Sequence, residues 1–342
     1  MKIGILTGGG DCPGLNAVIR AIGRKGIDFY QDKFIGLKHG WAGLLNLNYQ
    51  ELERENFSGI LHLGGTILGS SRTNPEKEDG GLDRVIDNFK QLKLDALIVI
   101  GGNDTLGVAL KLADKGIPLV GVPKTIDNDI SATDTTFGFD TAVSIATEAI
   151  DRLHTTAESH HRCIVVEVMG RHAGWIATHA GIAGGADIVL IPEESFSMDD
   201  VIDKIQRRIN RGKFFSIVVV AEGFQFREKT TEDKPRDIDD FGNIRLGGVG
   251  GLVAGEIERR LDIESRAVVL GHVLRGGVPT AFDRILGTKY GIAAIDMIHK
   301  GQFGMMTSLQ GTKVISVPLE DGVKESKTVD KETYEIAKVF FG

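Results

Sequence analysis

The chain has 342 residues, 42% hydrophobic and 25% charged, with a formal net charge of -7, which is ordinary globular composition and long enough for two packed domains. It excludes a low-complexity or disordered chain, and the mild acidity argues against a general nucleic-acid or anionic-membrane surface, so any phosphate must be held by local arginines and lysines. Its two cysteines, Cys12 and Cys163, exclude a disulfide framework and favour a reducing compartment.

In chain order, KIGILT, DALIVIGG, IPLVGVPKT, CIVVEVMG, ADIVLIPE, FSIVVVAEGF and RAVVLGH read as short β-branched strands, each ending in Gly or Pro and followed by a helix-period segment. Between them, residues 13–22, 82–92, 105–115, 139–153 and 201–209 carry the i, i+3, i+4 apolar spacing of amphipathic helices. This alternation predicts the α/β class, with two doubly wound Rossmann-like domains, mostly parallel sheets and helices on both faces. Ligands of such folds lie beyond the carboxyl ends of the strands. A polar stretch from Arg227 to Arg245 reads as a surface excursion before a turn at Gly247–Gly251. MKIGILTGGG has no charged leader ahead of a long apolar core, and no run approaches the roughly 18 apolar residues of a membrane helix. The expected location is therefore cytoplasmic.

Four clusters carry chemistry. TGGGDCPGLNAVIR, residues 7–20, runs from a strand end through three glycines into a helix. It lets backbone and a helix N-terminus approach a phosphate, and it also suits a plain strand-to-helix turn. IGGNDTL, residues 100–106, has the same form but places an acid, Asp104, where a phosphate chain would be repelled. PKTIDND, residues 123–129, would set Thr125, Asp127 and Asp129 on one face of extended backbone. There they could orient a phosphoryl group, deprotonate an alcohol and hold magnesium, or serve as turn caps. EVMGRHAGW and GHVLRGGVPTAFDR add further strand ends, and Arg72, Arg162, Arg171, Arg266 and Arg275 border glycine turns or strand termini, where guanidinium groups recognise phosphate bidentately.

These motifs, in this order and spacing, resemble the 6-phosphofructokinase family, and Asp104 with Lys124 resembles its pyrophosphate-using type, since ATP-using members typically carry glycine at both positions. The resemblance implies phosphoryl transfer to the 1-hydroxyl of fructose 6-phosphate as a step of glycolysis, with pyrophosphate as donor and Mg2+ as cofactor. Asp127 is implied as general base, with Thr125, Arg72 and Arg171 also catalytic. Gly9, Gly10, Gly102, Asp104 and Lys124 are implied for the donor. Arg162, Met169, Gly170, Arg171, Glu222, Arg266, His272 and Arg275, together with Thr125 and Asp127, are implied for the sugar phosphate. Asn103, in place of the family's usual acid, and Asp129 are implied on the metal side.

Residues 1–138 plus about 274–324 are expected to bind the donor, and 139–273 plus about 325–342 the sugar phosphate. The resemblance also implies a homodimer or homotetramer in which Arg162 and Arg266 reach across a subunit interface. Arg54, Arg211 and Lys213 resemble part of the family's effector site, whereas Ala21 and His154 replace arginines there, so weak effector control is expected. An ATP-dependent 6-phosphofructokinase, a NAD or lipid kinase with a similar glycine turn, and a catalytically silent sugar-phosphate sensor are the competing readings. Retention of Asp127 and Arg171 speaks against the sensor.

Overall fold

A computed structural model of the chain describes residues 1–227 and 247–341. The strands, in chain order, are β1 (Lys2–Thr7), β2 (Lys33–Leu37), β3 (Tyr49–Leu52), β4 (Ala96–Gly101), β5 (Leu119–Thr125), β6 (Phe137–Gly138), β7 (Cys163–Val168), β8 (Ile188–Leu190), β9 (Ser216–Ala221), β10 (Ser265–Val269), β11 (Met305–Gln310) and β12 (Lys313–Pro318). The helices are α1 (Leu15–Lys25), α2 (Trp41–Leu45), α3 (Gly81–Gln91), α4 (Asn103–Asp114), α5 (Phe139–His160), α6 (Trp175–Ala183), α7 (Met198–Asn210), α8 (Val249–Leu261), α9 (Ala281–His299), α10 (Leu319–Val323) and α11 (Lys331–Lys338).

The chain divides into two compact units. The first comprises Met1–Ile126, Ile130–Thr141 and Arg275–Ser326, and the second Asp127–Asp129, Ala142–Leu274 and Lys327–Gly342. In the first, the sheet order is β12-β11-β5-β4-β1-β2-β3, with β6 paired to β5. Its central strands are parallel, and β3 and β12 close the edges antiparallel. Five strands of this unit were not expected from the sequence: β3 and β12 are part exposed edges, and β2, β6 and β11 are buried but are short or interrupted by Gly, Ser or Thr. In the second unit the order is β10-β7-β9-β8, all parallel. Strands β4, β7 and β9 are buried along their whole length, as parallel strands covered on both faces must be.

The sheet of the first unit is covered on one side by an apolar core that includes Leu6, Leu37, Trp41, Val85, Phe89, Leu97, Leu106, Leu112 and Leu119. α1 packs closely along α9. At Gly291 a Cβ would stand 2.5 Å from the Val18 carbonyl oxygen, and at Gly287 3.1 Å from that of Gly14. Two glycines one turn apart therefore let the backbones of these helices approach.

Several expectations need correction. α1 begins at Leu15 rather than residue 13, because Gly14 before it is left-handed, with φ of 107°. α4 begins at Asn103, so Asn103 and Asp104 lie inside its first turn. The expected turn at Gly247–Gly251 ends at Gly248, and Val249, Gly250 and Gly251 open α8. β5 ends at Thr125, the chain bends at Ile126 and Asp127, and Asn128 is left-handed with φ of 52°. The extended backbone expected through Asp129 is thus absent. Its alternation in burial nevertheless persists: Thr125, Asp127 and Asp129 are half-buried, and Ile126, Asn128 and Ile130 are buried. The surface excursion expected at Arg227–Arg245 lies, beyond Arg227, outside the described residues. Among the described residues no helix is long and apolar enough to cross a membrane.

Within the first unit, the Asp283 carboxylate is fully buried and accepts hydrogen bonds from the Thr141 amide at 2.9 Å and the Thr141 hydroxyl at 2.5 Å. Burial pushes this carboxyl from its ordinary 3.8 up to about 6, against the lowering effect of the Thr141 bonds. Between about pH 4 and pH 6 the folded protein therefore holds a proton that the unfolded chain has released, so stability falls as pH rises through that window and is level above it. The full effect is on the order of 3 kcal/mol. Asp283→Asn keeps an acceptor for Thr141 and is expected to flatten this slope. Urea midpoints measured across the window check it, and an unchanged slope in the variant would assign the effect to another group.

Candidate active site

At the carboxyl ends of β1 and β4 in the first unit, two glycine turns lie side by side. The Gly8 amide donates to the Ile100 carbonyl at 2.9 Å. A Cβ at Gly8 would stand 2.7 Å from the Thr105 side chain, and one at Gly101 2.4 Å from it. The two turns close on Thr105, and no larger residue than glycine fits at either position. This is where the strand order reverses, β2 lying on one side of β1 and β4 on the other, the place where doubly wound sheets receive ligands.

Gly9 is left-handed, with φ of 81°. Its amide donates to the Ser71 carbonyl at 3.0 Å, and its carbonyl accepts from the Ser70 hydroxyl at 2.5 Å. The buried Lys124 ammonium donates to the Gly10 carbonyl at 2.5 Å. The Arg275 guanidinium lies across Gly10, where a Cβ would stand 2.7 Å from Nη1 and 3.0 Å from Cζ. Two cations thus flank the Gly9–Gly10 turn. Gly102 caps α4, and Asp104 is exposed in the first helical turn, where its charge complements the positive end of the helix dipole.

Arg72 follows a loop fastened to this turn. The buried Asn16 side chain, on α1, donates to the carbonyls of Leu63 and Gly64 at 3.1 and 3.2 Å and accepts from the Ile67 amide at 2.9 Å. Thr7 adds a bond to the Gly69 carbonyl at 2.8 Å.

The second unit carries the other cluster. Met169 is buried, Gly170 has φ of 140°, and Arg171 follows half-buried in the turn after β7. The turn after β9 packs on it: the Glu222 amide donates to Val168 at 2.9 Å and the Gly223 amide to Gly170 at 3.1 Å. A Cβ at Gly223 would fall 1.9 Å from the Arg171 carbonyl oxygen, so the AEGF turn requires glycine there. His272 is exposed in the 3-10 turn after β10. Arg162 and Arg266 share one carboxylate, Arg162 Nε reaching Glu264 Oε2 at 2.7 Å and Arg266 Nη2 reaching Oε1 at 2.7 Å. The Arg162 hydrogen bond, then the charge of both arginines, holds the Glu264 carboxyl below its ordinary range.

The donor residues implied by the resemblance, Gly9, Gly10, Gly102, Asp104 and Lys124, all fall in the first unit, along with Arg72, Asn103, Thr125 and Arg275. Arg162, Met169, Gly170, Arg171, Glu222, Arg266 and His272 fall in the second, as do Asp127 and Asp129. Of the expected effector-like positions, Arg54 is engaged by Asp28 at 3.0 Å and His154 by the Gly184 carbonyl at 2.6 Å.

Three supporting residues went unread in the sequence. Glu167, buried on β7, accepts from the amides of Gly248 at 3.0 Å and Gly250 at 2.8 Å and so pins the start of α8. Its signal was a charge inside an apolar strand. Glu193 accepts from the Gly174 amide at 2.9 Å. Lys327 donates to Asn128 Oδ1 at 3.0 Å, and nothing in its polar surroundings marks it. Both thiols are buried, and burial pushes the Cys12 pKa strongly up and that of Cys163 to about 12, which makes each unreactive.

Asn16→Ala removes the clamp on the segment leading to Arg72. A stability loss of about 2–4 kcal/mol and a turnover loss of about tenfold are expected. Thermal melting and steady-state rates check both, and full turnover in a folded variant would show that Thr7 and Gly9 hold the segment without Asn16.

The phosphofructokinase family pattern matches residues 2–298. The chain is 56% identical over 342 residues to the pyrophosphate–fructose 6-phosphate 1-phosphotransferase of Amycolatopsis mediterranei, with 100% of both chains covered. It is 52% identical over 341 residues to ATP-dependent 6-phosphofructokinase 2 of Streptomyces coelicolor, again with 100% of both covered. The crystal structure of Pichia pastoris phosphofructokinase in the T-state matches with a TM-score of 0.83 at 32% identity, over 99% of this chain and 36% of the longer Pichia chain. The pyrophosphate-dependent phosphofructokinase of Marinobacter aquaeolei matches with a TM-score of 0.83 at 21% identity, over 100% of this chain and 91% of that one, a likeness of fold. With the glycine turns, PKTIDND and MGR placed at strand ends, the chain belongs to the phosphofructokinase family and is a phosphotransferase.

Proposed function

We propose that the protein transfers a phosphoryl group from pyrophosphate to the 1-hydroxyl of fructose 6-phosphate, giving fructose 1,6-bisphosphate and orthophosphate. The observation that carries the donor assignment is Asp104, a carboxylate in the first turn of α4 directly after Gly102, with the Lys124 ammonium on the Gly10 carbonyl. A carboxylate about 4 Å from a nucleotide phosphate costs about 4 kcal/mol at an effective dielectric near 20, roughly a thousandfold in affinity. Bulk at that position adds to the exclusion. Lys124 supplies the charge that a donor without adenosine needs for binding.

The donor-binding residues lie in the first unit, and those for the sugar phosphate lie in the second except Thr125 and Arg275, which lie in the first. Asp127 takes the proton from the 1-hydroxyl as that oxygen attacks phosphorus. The bridging P–O bond of the donor breaks, and Arg72 and Arg171 balance the charge on the transferring group. Met169, Gly170 and Glu222 hold the sugar, with His272, Arg162, Arg266 and Arg275 for its phosphate. Arg266 lies on β10, an edge strand of its sheet, and is exposed beside the half-buried Glu264 that it shares with Arg162. This placement supports a homo-oligomer in which both arginines serve a neighbouring copy. Two buried, unreactive thiols suit a reducing cytoplasm.

Among the described residues no group of three or more His, Cys, Asp or Glu side chains is placed to hold a metal ion, and Mg2+ is usually held by one or two carboxylates plus substrate phosphates. Asn103 and Asp129 would hold it, and it would neutralise phosphate charge.

An ATP-dependent reaction is the second reading, favoured by the 52% identity to a relative named for it. Initial rates with pyrophosphate and ATP at equal concentration, in the unaltered protein and in Asp104→Gly, separate the two. Activity with pyrophosphate is expected in the unaltered protein, and Asp104→Gly is expected to admit ATP. Equal use of ATP by the unaltered protein would remove Asp104 from donor selection. Asp127→Asn is expected to lower kcat by about a thousandfold while leaving fructose 6-phosphate affinity within about threefold, as calorimetry and steady-state rates together show.

A further inference from the structure

Asp127 lies in a segment of three residues, Asp127–Asp129, that joins the second unit although the residues on either side belong to the first. The chain rejoins the second unit at Lys327, and Lys327 touches that segment twice. Its ammonium donates to Asn128 Oδ1 at 3.0 Å, and its backbone amide donates to the Asp129 carbonyl at 2.8 Å. Asn128 is 3% exposed and left-handed, with φ of 52°. A non-glycine residue keeps that conformation only where its surroundings impose it, and asparagine tolerates it better than most.

The other side of Lys327 faces α6. Its carbonyl accepts from Trp175 Nε1 at 3.0 Å, and its ammonium stands 5.5 Å from the centre of the Trp175 ring. Two residues on, the Val329 amide donates to Glu193 Oε1 at 2.9 Å, and the same carboxylate accepts from the Gly174 amide. Residues 327–329 therefore form a splint. One end grips Asn128 and Asp129, and the other grips Gly174 and Trp175, which close the turn that carries Arg171.

We infer that Lys327 is a positioning residue for phosphoryl transfer, fixing the segment of Asp127 against the turn of Arg171. It touches neither substrate in this assignment and acts through Asn128, Asp129 and Trp175. The inference rests on the proposed role of Asp127 as base. A base must sit within hydrogen-bond reach of the hydroxyl it deprotonates, and an error near 1 Å costs on the order of a hundredfold in rate. Loss of the splint should therefore reach kcat before it reaches binding.

The test uses the full-length protein with Lys327→Met, Asn128→Ala, the two combined, and Lys327→Arg. Full two-substrate kinetics with fructose 6-phosphate and pyrophosphate are measured well below each variant's melting midpoint. Lys327→Met and Asn128→Ala are each expected to lower kcat by about 10–100-fold with both KM values within about threefold. The combined variant should be no slower than the slower single one, because both remove the same hydrogen bond. Lys327→Arg, which keeps a cationic donor over the ring, should recover much of the rate. Should Lys327→Met not fold, Asn128→Ala removes the acceptor alone and reads the same quantity.

A folded Lys327→Met with kcat within about twofold of the unaltered protein, or losses that multiply in the combined variant, overturns the inference. Turnover lost in Asp127→Asn but intact in Lys327→Met overturns it alone. Turnover that survives Asp127→Asn overturns the base assignment and this inference with it. Where pyrophosphate supports no turnover, the same kinetics with Mg-ATP decide the role of Lys327 by the same thresholds.

Discussion

The close approach of two backbone turns at the strand-order reversal is the constraint on which the first unit depends. Gly8 bonds directly to Ile100, and Thr105 fills the space that a side chain at Gly8 or Gly101 would need. These turns lie beside the N-terminal turn of α4, with the Lys124 ammonium on the Gly10 carbonyl and the Arg275 guanidinium across Gly10. Two cations, Lys124 and Arg275, thus stand at this turn in a chain whose total charge is -7. Local arrangement, and not bulk charge, therefore makes it suited to phosphate.

In the second unit, polar side chains bound to backbone do the corresponding work. The Glu167 carboxylate on β7 accepts from the amides that open α8 and the Glu193 carboxylate from Gly174, while the backbone amides of Glu222 and Gly223 donate to the carbonyls of Val168 and Gly170. Each satisfies donors that a helix start or a turn would leave open. The result is a set of strand-end turns whose backbones are specified by hydrogen bonds.

Asp104 shows how one residue can serve two ends. As an acid in the first turn of α4 it stabilises the helix, and the same charge disfavours an anion placed against that helix. Relatives above 50% identity carry names for either donor, so overall similarity does not separate them. Discrimination of this kind is a difference between two binding energies set by a few side chains at the donor.

Much of the fold was legible in the sequence, because most of the buried parallel strands are continuous apolar runs and each motif proposed for the site is a contiguous string at a strand end. The order and chemistry of TGGGDCPG, GGNDT, PKTIDND and MGR are written in adjacent residues. What a linear reading missed were the part-exposed edge strands β3 and β12, the buried strands β2 and β11, whose apolar runs are short or interrupted, the bend after Thr125, and the partners that come from far away. Asn128 and Lys327 lie 199 residues apart in the chain, and no local pattern relates them. Residue types and their spacing settle which chemistry is available, since they are properties of neighbouring covalent units. The pairing of Lys327 with Asn128, of Glu167 with the start of α8, and of Arg275 with Gly10 was decided only when folding brought distant segments together, because hydrogen bonds and steric fit act through space and not along the chain.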